Sequence, residues 1–128
     1  MSRKRPTVAD IRALKDKYQF TMIRVETLDE LEAAERAGVD MVSVPPEIMV
    51  LPHFREVAPS LFAVPGVNFF EVGMADDFVR WAFALYKASA DAVYCSASLA
   101  TVERLSDEAI PVIGHVGLIT SRATWTDG

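Results

Sequence analysis

The chain has 128 residues, of which 51% are hydrophobic and 24% are charged, and its formal net charge is −5. These values are typical of a globular domain with its own core, and the acidic balance argues against nucleic acid or an anionic membrane as a partner. No stretch approaches the roughly 20 apolar residues of a membrane span, and the N-terminus lacks the apolar centre of a signal peptide. Cys95 is the only cysteine, which excludes an internal disulfide and predicts a cytoplasmic location.

The apolar spacing alternates between the helical period and short buried runs. In chain order it predicts a helix over residues 8–17, a strand over 20–25, a helix over 27–38, a strand over 41–44, a helix over 52–58, a strand over 61–64, a helix from about 74 to 86, a strand over 92–95, a helix over 99–109 and a strand over 111–113. A capping box formed by Thr7 and Asp10 predicts the first helix start. Thr27 is the predicted N-cap of the second helix, and Gly38 its left-handed C-cap.

An internal repeat supports a parallel sheet. Residues 37–42 return as residues 88–93, and each copy combines a helix end, a small residue, an aspartate and a buried strand. Strands that alternate with helices and are apolar throughout predict a parallel sheet in either a doubly wound fold or a (β/α)8 barrel, with sites at the carboxyl ends of the strands. The chain has no glycine-rich phosphate loop, so the barrel is favoured.

A complete barrel needs about 250 residues, so the chain holds only about four and a half βα units. The predicted fold is therefore α/β, the N-terminal half of a (β/α)8 TIM barrel. Residues 1–128 form one partial domain in this interpretation, with a short N-terminal helix at about 7–17. An open half-barrel exposes strand edges and an apolar face, which predicts a homo-oligomer.

Four segments also carry a family resemblance. They are residues 5–11, 21–23, 37–40 and 110–118, the last reading IPVIGHVGL. In this order the segments resemble ketopantoate hydroxymethyltransferase (3-methyl-2-oxobutanoate hydroxymethyltransferase), of the phosphoenolpyruvate mutase and isocitrate lyase barrel superfamily. The resemblance implies hydroxymethyl transfer from methylenetetrahydrofolate to a branched 2-oxo acid in pantothenate biosynthesis. It also implies Mg²⁺, held by acidic residues, as the Lewis acid.

The sequence departs from that family where the chemistry would lie. Residues 45–47 read Pro-Pro-Glu in place of Gly-Asp-Ser, residues 64–66 lack the family's Asp, and residues 94–96 read Tyr-Cys-Ser in place of Lys-x-Glu. The family's general base would lie beyond Gly128. We therefore expect no metal ligands, with Glu47 as a displaced ligand the alternative, and a truncated or divergent member. Mg²⁺ and methylenetetrahydrofolate are implied by the resemblance alone.

Four residues are candidates for binding a small 2-oxo acid. His115 follows the fifth strand between glycines, and it either lines a pocket or is a buried histidine bonded to a backbone carbonyl. Arg24 can fork onto a carboxylate or pair with Glu26, two positions along the same strand face. Tyr94 and Ser96 share a face of the fourth strand and are either ligand-binding or packing residues.

Three functions remain open from the sequence. The first is a hydroxymethyltransferase-like enzyme, the second is a divergent carbon–carbon lyase or transferase of the same superfamily acting on another 2-oxo acid, and the third is a non-catalytic half-barrel module. Whether the chain is an enzyme is left undecided. Asn68 and Glu71 lie in a glycine-bounded loop that could act as a lid or could simply be solvated.

Overall fold

The computed structural model describes residues 3–66 and 72–117. The helices and strands that lie wholly within these ranges are α1 (Val8–Ala13), β1 (Met22–Arg24), α2 (Leu28–Ala37), β2 (Met41–Val44), α3 (Pro46–Met49), α4 (Phe54–Val57), β3 (Phe62–Pro65), α5 (Ala75–Lys87), β4 (Val93–Cys95), α6 (Leu99–Asp107) and β5 (Val112–Gly114). The predicted alternation of helices and strands is confirmed. Helix α3 was not predicted, because two prolines read as a strand breaker. Pro46 stands in its first turn, where the missing N–H costs nothing.

The predicted helix caps are also confirmed. Thr7 and Asp10 form a reciprocal capping box, with Asp10 N donating to Thr7 Oγ1 at 3.1 Å and Thr7 N donating to the Asp10 carboxylate at 2.8 Å. The Thr7 backbone bond holds the pKa of Asp10 below its ordinary value. Thr27 accepts from the backbone of Glu30, and Gly38 ends α2 with a φ of 78°. Helix α1 ends earlier than predicted, at Ala13.

The predicted half TIM barrel is wrong. The strands within the described residues form two separate parallel sheets, one of three strands in the order β1-β2-β3 and one of β4 and β5. The register pairs Arg24 with Ser43 in the first sheet and Tyr94 with Ile113 in the second. Between the sheets, one isolated bridge connects Gly66 to Tyr94. The result is a small α/β fold without a continuous barrel wall.

A proline explains why the ladder between β3 and β4 is interrupted. Gly66 N donates to Val44 O at 3.4 Å, so the alternate residues Ala63 and Pro65 turn their backbone groups toward β4. Ala63 O accepts from Asp91 N at 3.0 Å, which starts the pairing. Pro65 has no N–H to continue it, so the ladder fails one step later. Periodicity alone did not reveal this, because the run is apolar from end to end.

The two faces of the strands pack against different partners. One face forms the main core with helices α2 to α6, and Val42, Val93 and Cys95 contribute side chains that are fully buried. The opposite face packs against α1 at the amino ends of the strands, where Val8 and Ile11 contact a second apolar cluster. Helix α1 therefore covers only the amino-terminal half of this second face.

The aspartates of the two repeat copies have the same structural role: each accepts a hydrogen bond from a backbone N–H group of the neighbouring strand segment. Asp40 accepts from Thr21 N at 2.8 Å, and Asp91 accepts from Ala63 N at 2.8 Å. Each aspartate precedes a strand and bonds to the backbone at the start of the preceding strand, so each fixes the register of two parallel neighbours. The repeat found in the sequence is thus a pair of strand-linking carboxylates.

Asp91 differs from Asp40 in its burial and its partners. Arg55 Nη2 donates to Asp91 Oδ2 at 2.7 Å, with the two side chains only 20% and 14% exposed. Burial lowers the pKa of Arg55, and the charge of Asp91 offsets part of that shift, so this carboxylate stabilises the charged guanidinium. No helix among the described residues is long and apolar enough to cross a membrane.

We expect Asp91→Asn to lower the free energy of unfolding by about 3 kcal/mol or more, because it leaves the buried guanidinium of Arg55 without its counter-charge. Asp40→Asn is the matched control from the other copy of the repeat. Its partners are Thr21 and the exposed hydroxyl of Tyr18, so its loss should be about 1 kcal/mol. Urea unfolding followed by circular dichroism measures both, and equal losses would contradict this account.

Candidate functional site

A cavity of about 520 Å³ opens at the carboxyl ends of the strands, on the half of the face that α1 leaves uncovered. Its lining comes from all five strands and the positions directly after them. The lining residues are Met22, Arg24, Ser43, Val64, Gly66, Tyr94, Ser96 and Ile113. Carboxyl ends of parallel strands are the usual place for a ligand in α/β proteins, so this cavity is the candidate site.

Register places two polar side chains of the cavity side by side. Arg24 is the last residue of β1, and it is paired with Ser43 of β2. Arg24 Nη1 donates to Ser43 Oγ at 3.1 Å. The sequence analysis did not predict Ser43 as a site residue. The signal that could have identified it is a single serine within the otherwise apolar strand β2.

Arg24 also forms the predicted ion pair. Its Nε donates to Glu26 Oε1 at 2.7 Å, and both side chains are about half exposed, at 47% and 60%. The other N–H groups of the guanidinium donate to no acceptor within the described ranges. The structure therefore shows the ion pair and leaves part of the guanidinium fork available for a ligand.

Tyr94 and His115 form the other polar part of the site. The Tyr94 hydroxyl and His115 Nδ1 are joined by a short hydrogen bond, and either atom can donate depending on the imidazole tautomer. The two rings lie 6.0 Å apart at an angle of 59°. His115 N donates to Cys95 O at 2.9 Å, which extends the β4–β5 pairing and fixes where the imidazole begins.

The predicted site residues come together in part. Arg24, Tyr94 and Ser96 line one cavity, and His115 reaches it through its bond to Tyr94. Among residues 3–66 and 72–117, no three His, Cys, Asp or Glu side chains are grouped so that they could hold a metal ion. Glu47 is exposed in the first turn of α3 and does not line the cavity. Asn68 and Glu71, the predicted lid residues, lie outside the described residues.

Comparisons with known proteins give a fold and no family. No protein-family model matches the chain, and no curated protein matches it. The chain is similar to the crystal structure of a rubisco-like protein from Burkholderia fungorum, with a TM-score of 0.57 and 16% identity over 97% of this chain. It spans 37% of the length of that protein. At this identity the likeness shows the fold alone.

The resemblance to ketopantoate hydroxymethyltransferase is therefore wrong, and hydroxymethyl transfer has no support. The segment that suggested it has a local physical explanation. Residues 112–114 are β5, Gly114 packs near Val102 of α6, and Gly117 adopts a φ of 85° that favours glycine. An apolar strand that ends in a glycine turn accounts for this pattern without any shared function. Leu118, the last residue of the segment, lies outside the described residues.

We expect Tyr94→Phe to leave the fold intact and to lower the free energy of unfolding by about 0.5–1.5 kcal/mol, the value of one hydrogen bond. Tyr86→Phe is the control, because the Tyr86 hydroxyl bonds to no other part of the described chain. The imidazole resonances of His115 should move in the first variant and not in the second. Unchanged His115 resonances in Tyr94→Phe would show that the two side chains are not bonded in solution.

Proposed function

We propose that the carboxyl-end cavity binds a small 2-oxo acid, with Arg24 holding its carboxylate. The observation that carries the proposal is the partly unused guanidinium fork of Arg24 in a cavity that Tyr94 and Ser96 also line. A planar guanidinium matches a carboxylate in two parallel hydrogen bonds. Hydroxyls of Tyr94 and Ser96 are suited to the carbonyl oxygen of the same ligand.

The size and walls of the cavity fit such a ligand. Its volume of about 520 Å³ lies within the common range for small-molecule sites of about 300–1,000 Å³. Met22, Val64 and Ile113 supply apolar surface beside the polar groups. These side chains suit the alkyl part of a 2-oxo acid, while the polar groups fix its orientation.

A ligand carboxylate that binds Arg24 must either share the guanidinium with Glu26 or displace Glu26 from it. The Arg24–Glu26 pair is exposed, and exposed ion pairs contribute little, usually about 0–1 kcal/mol. The ligand carboxylate therefore needs only a small advantage to bind the open side of the guanidinium. Ser43 holds Arg24 from the other side, which keeps the guanidinium at the cavity while Glu26 moves.

The Tyr94–His115 pair suits proton transfer at the carbonyl oxygen. In this proposal the Tyr94 hydroxyl gives its proton to the carbonyl oxygen, protonated His115 restores that proton, and water removes a proton from the adjacent carbon. The electrons of that C–H bond form the carbon–carbon double bond of an enol. An enol is the nucleophile needed for carbon–carbon bond formation, so a lyase or transferase acting on a 2-oxo acid is the reaction class. Mg²⁺ and methylenetetrahydrofolate, which only the resemblance to ketopantoate hydroxymethyltransferase implied, are not part of this proposal.

We also propose a cytoplasmic location for the chain. Cys95 is the single cysteine of the sequence, and its side chain is fully buried. A chain without an internal disulfide needs no oxidising compartment to fold, so we place it in the cytoplasm.

We expect pyruvate to bind saturably, with amide resonances shifting around Arg24, Ser43 and Tyr94 in an NMR titration. Arg24→Gln should weaken binding about ten-fold or more, because a charge-assisted hydrogen bond contributes about 1.5–3 kcal/mol. The control is Arg12→Gln, on α1, which removes the same charge away from the cavity. Identical affinities for the two variants would reject Arg24 as the carboxylate ligand.

The proposed chemistry is tested by following exchange of the pyruvate methyl protons in deuterated water. His115→Ala should abolish the exchange above the solvent rate while the protein stays folded by circular dichroism. A His115→Ala protein that melts earlier, yet binds pyruvate and exchanges its protons as before, would make His115 a purely structural residue.

A second candidate function is assembly with another copy of the chain. Among the described strands, β1 and β5 each pair with one neighbour in their sheet, and Ile23 of β1, which does not line the carboxyl-end cavity, is 47% exposed. Exposed apolar strand edges favour pairing with a further strand. The observation supports a homo-oligomer in which these edges meet.

If the edges associate, Ile23→Asp should lower the mass measured by light scattering toward that of the monomer. Val50→Asp is the matched control, because Val50 is 53% exposed but lies at the end of α3, away from the strand edges. A monomeric mass for the unmodified chain at every concentration would rule out this second function.

A further inference from the structure

We propose that a second cavity, at the amino ends of the strands, binds an organic anion. The cavity has a volume of about 700 Å³ and lies between the N-terminal segment and the end of α5. Lys4, Arg5, Asp91, Phe62 and Tyr86 are among its lining residues. It shares no lining residue with the carboxyl-end cavity, so it is independent of the 2-oxo acid proposal.

The charge of Asp91 is already neutralised from behind the cavity. Arg55 uses all five of its N–H donors, on Ser89 Oγ, the carbonyl oxygens of Ala58, Leu61 and Ser89, and the Asp91 carboxylate. This saturated guanidinium has no further donor to offer a ligand. It does, however, cancel the negative charge that would otherwise repel an anion.

Arg5 and Lys4 are then the cations available to a ligand. Arg5 Nε lies 3.3 Å from Asp91 Oδ1, and its side chain is 37% exposed. Its two Nη groups donate to no acceptor in the described parts of the chain, and Lys4 forms no ion pair there. Asp10 is the other carboxylate close to Lys4, and it is engaged in the Thr7 capping box. Of the charged residues that line the cavity, Lys4 and Arg5 are cations and Asp91 is a carboxylate, so the lining carries a positive excess in a chain of net charge −5.

The walls favour an anion with a flat apolar body. Tyr86 places an aromatic side chain at the cavity, and Pro6, Pro59 and Pro111 add rigid apolar surface. Tyr86 is 44% exposed, so its ring is open to a stacking partner. Ser89 also lines the cavity, and its hydroxyl, which accepts from Arg55 Nε, can donate to an anionic group. The proposed ligand is therefore an anion in which a phosphate or carboxylate group is attached to an aromatic or compact apolar group.

The test is an NMR titration of the full 128-residue chain with phenyl phosphate, benzoate, inorganic phosphate and phenol as separate probes. We expect saturable shifts in residues 4–7 and 89–91 with phenyl phosphate or benzoate, and the stronger of the two identifies the anionic group. Inorganic phosphate should bind more weakly because it has no ring, and phenol should not saturate. Added salt should weaken the binding, since the attraction is between partly exposed charges.

Arg5→Gln should lower the affinity for the better probe about ten-fold or more, the effect of one lost charge-assisted hydrogen bond. Lys4→Gln should lower it by a smaller factor, and Arg12→Gln, outside the cavity, should leave it unchanged. Arg5→Gln also removes the contact between Arg5 and Asp91, so a loss of binding in that variant could come from a structural change. Lys4 forms no such contact, so Lys4→Gln tests the effect of the charge alone. The proposal is overturned if neither variant weakens binding relative to Arg12→Gln, or if phenol binds as tightly as phenyl phosphate. A failure of pyruvate to bind would reject the carboxyl-end proposal and leave this result unaffected.

Discussion

The bonds that the Asp91 carboxylate makes to Arg55 and to the backbone of Ala63 are the interactions on which the rest of the structure depends. Asp91 lies where the three-stranded sheet meets the two-stranded sheet, and its carboxylate accepts from the backbone of β3 while its own backbone donates back to Ala63. Arg55 ties the same carboxylate to the carbonyl groups that follow α4 and α5. Because Pro65 interrupts the backbone ladder, this side chain joins what the strands themselves leave apart. The Asp91 carboxylate therefore adds a link between β3 and β4 where Pro65 has no N–H to give.

This junction also separates the molecule into two chemically different ends. At the amino ends, α1 covers the second face of the strands and Arg5 reaches Asp91, which creates a basic cavity. At the carboxyl ends nothing among the described residues covers that face, and the cavity around Arg24 and Tyr94 remains open. Helix α1 therefore helps to define the site. Its Val8 and Ile11 cover the amino-terminal part of the second strand face, and the cavity begins where these contacts end.

The wrong family resemblance has an instructive cause. Its sharpest segment combined an apolar strand with glycines around His115, and the glycine turn has a local explanation in the structure. Gly117 makes a left-handed turn, a backbone conformation that favours glycine, whereas a side chain at Gly114 would reach only an ordinary contact distance from Val102. The missing carboxylates at residues 46, 65 and 96 were the more informative signal. They pointed away from the ketopantoate hydroxymethyltransferase family, to which the comparisons give no support.

The sequence by itself determined the local structure of this protein. Alternating periods, the hydroxyl of Thr7 and the glycine at position 38 specify helices, strands and caps, because each acts through neighbours only a few residues away. The sequence also placed Arg24, Tyr94 and Ser96 at strand ends. Only the tertiary structure decided that the strands split into two sheets, that Ser43 joins Arg24, and that Tyr94 bonds to His115. These depend on register between segments distant in the chain, which no local pattern encodes.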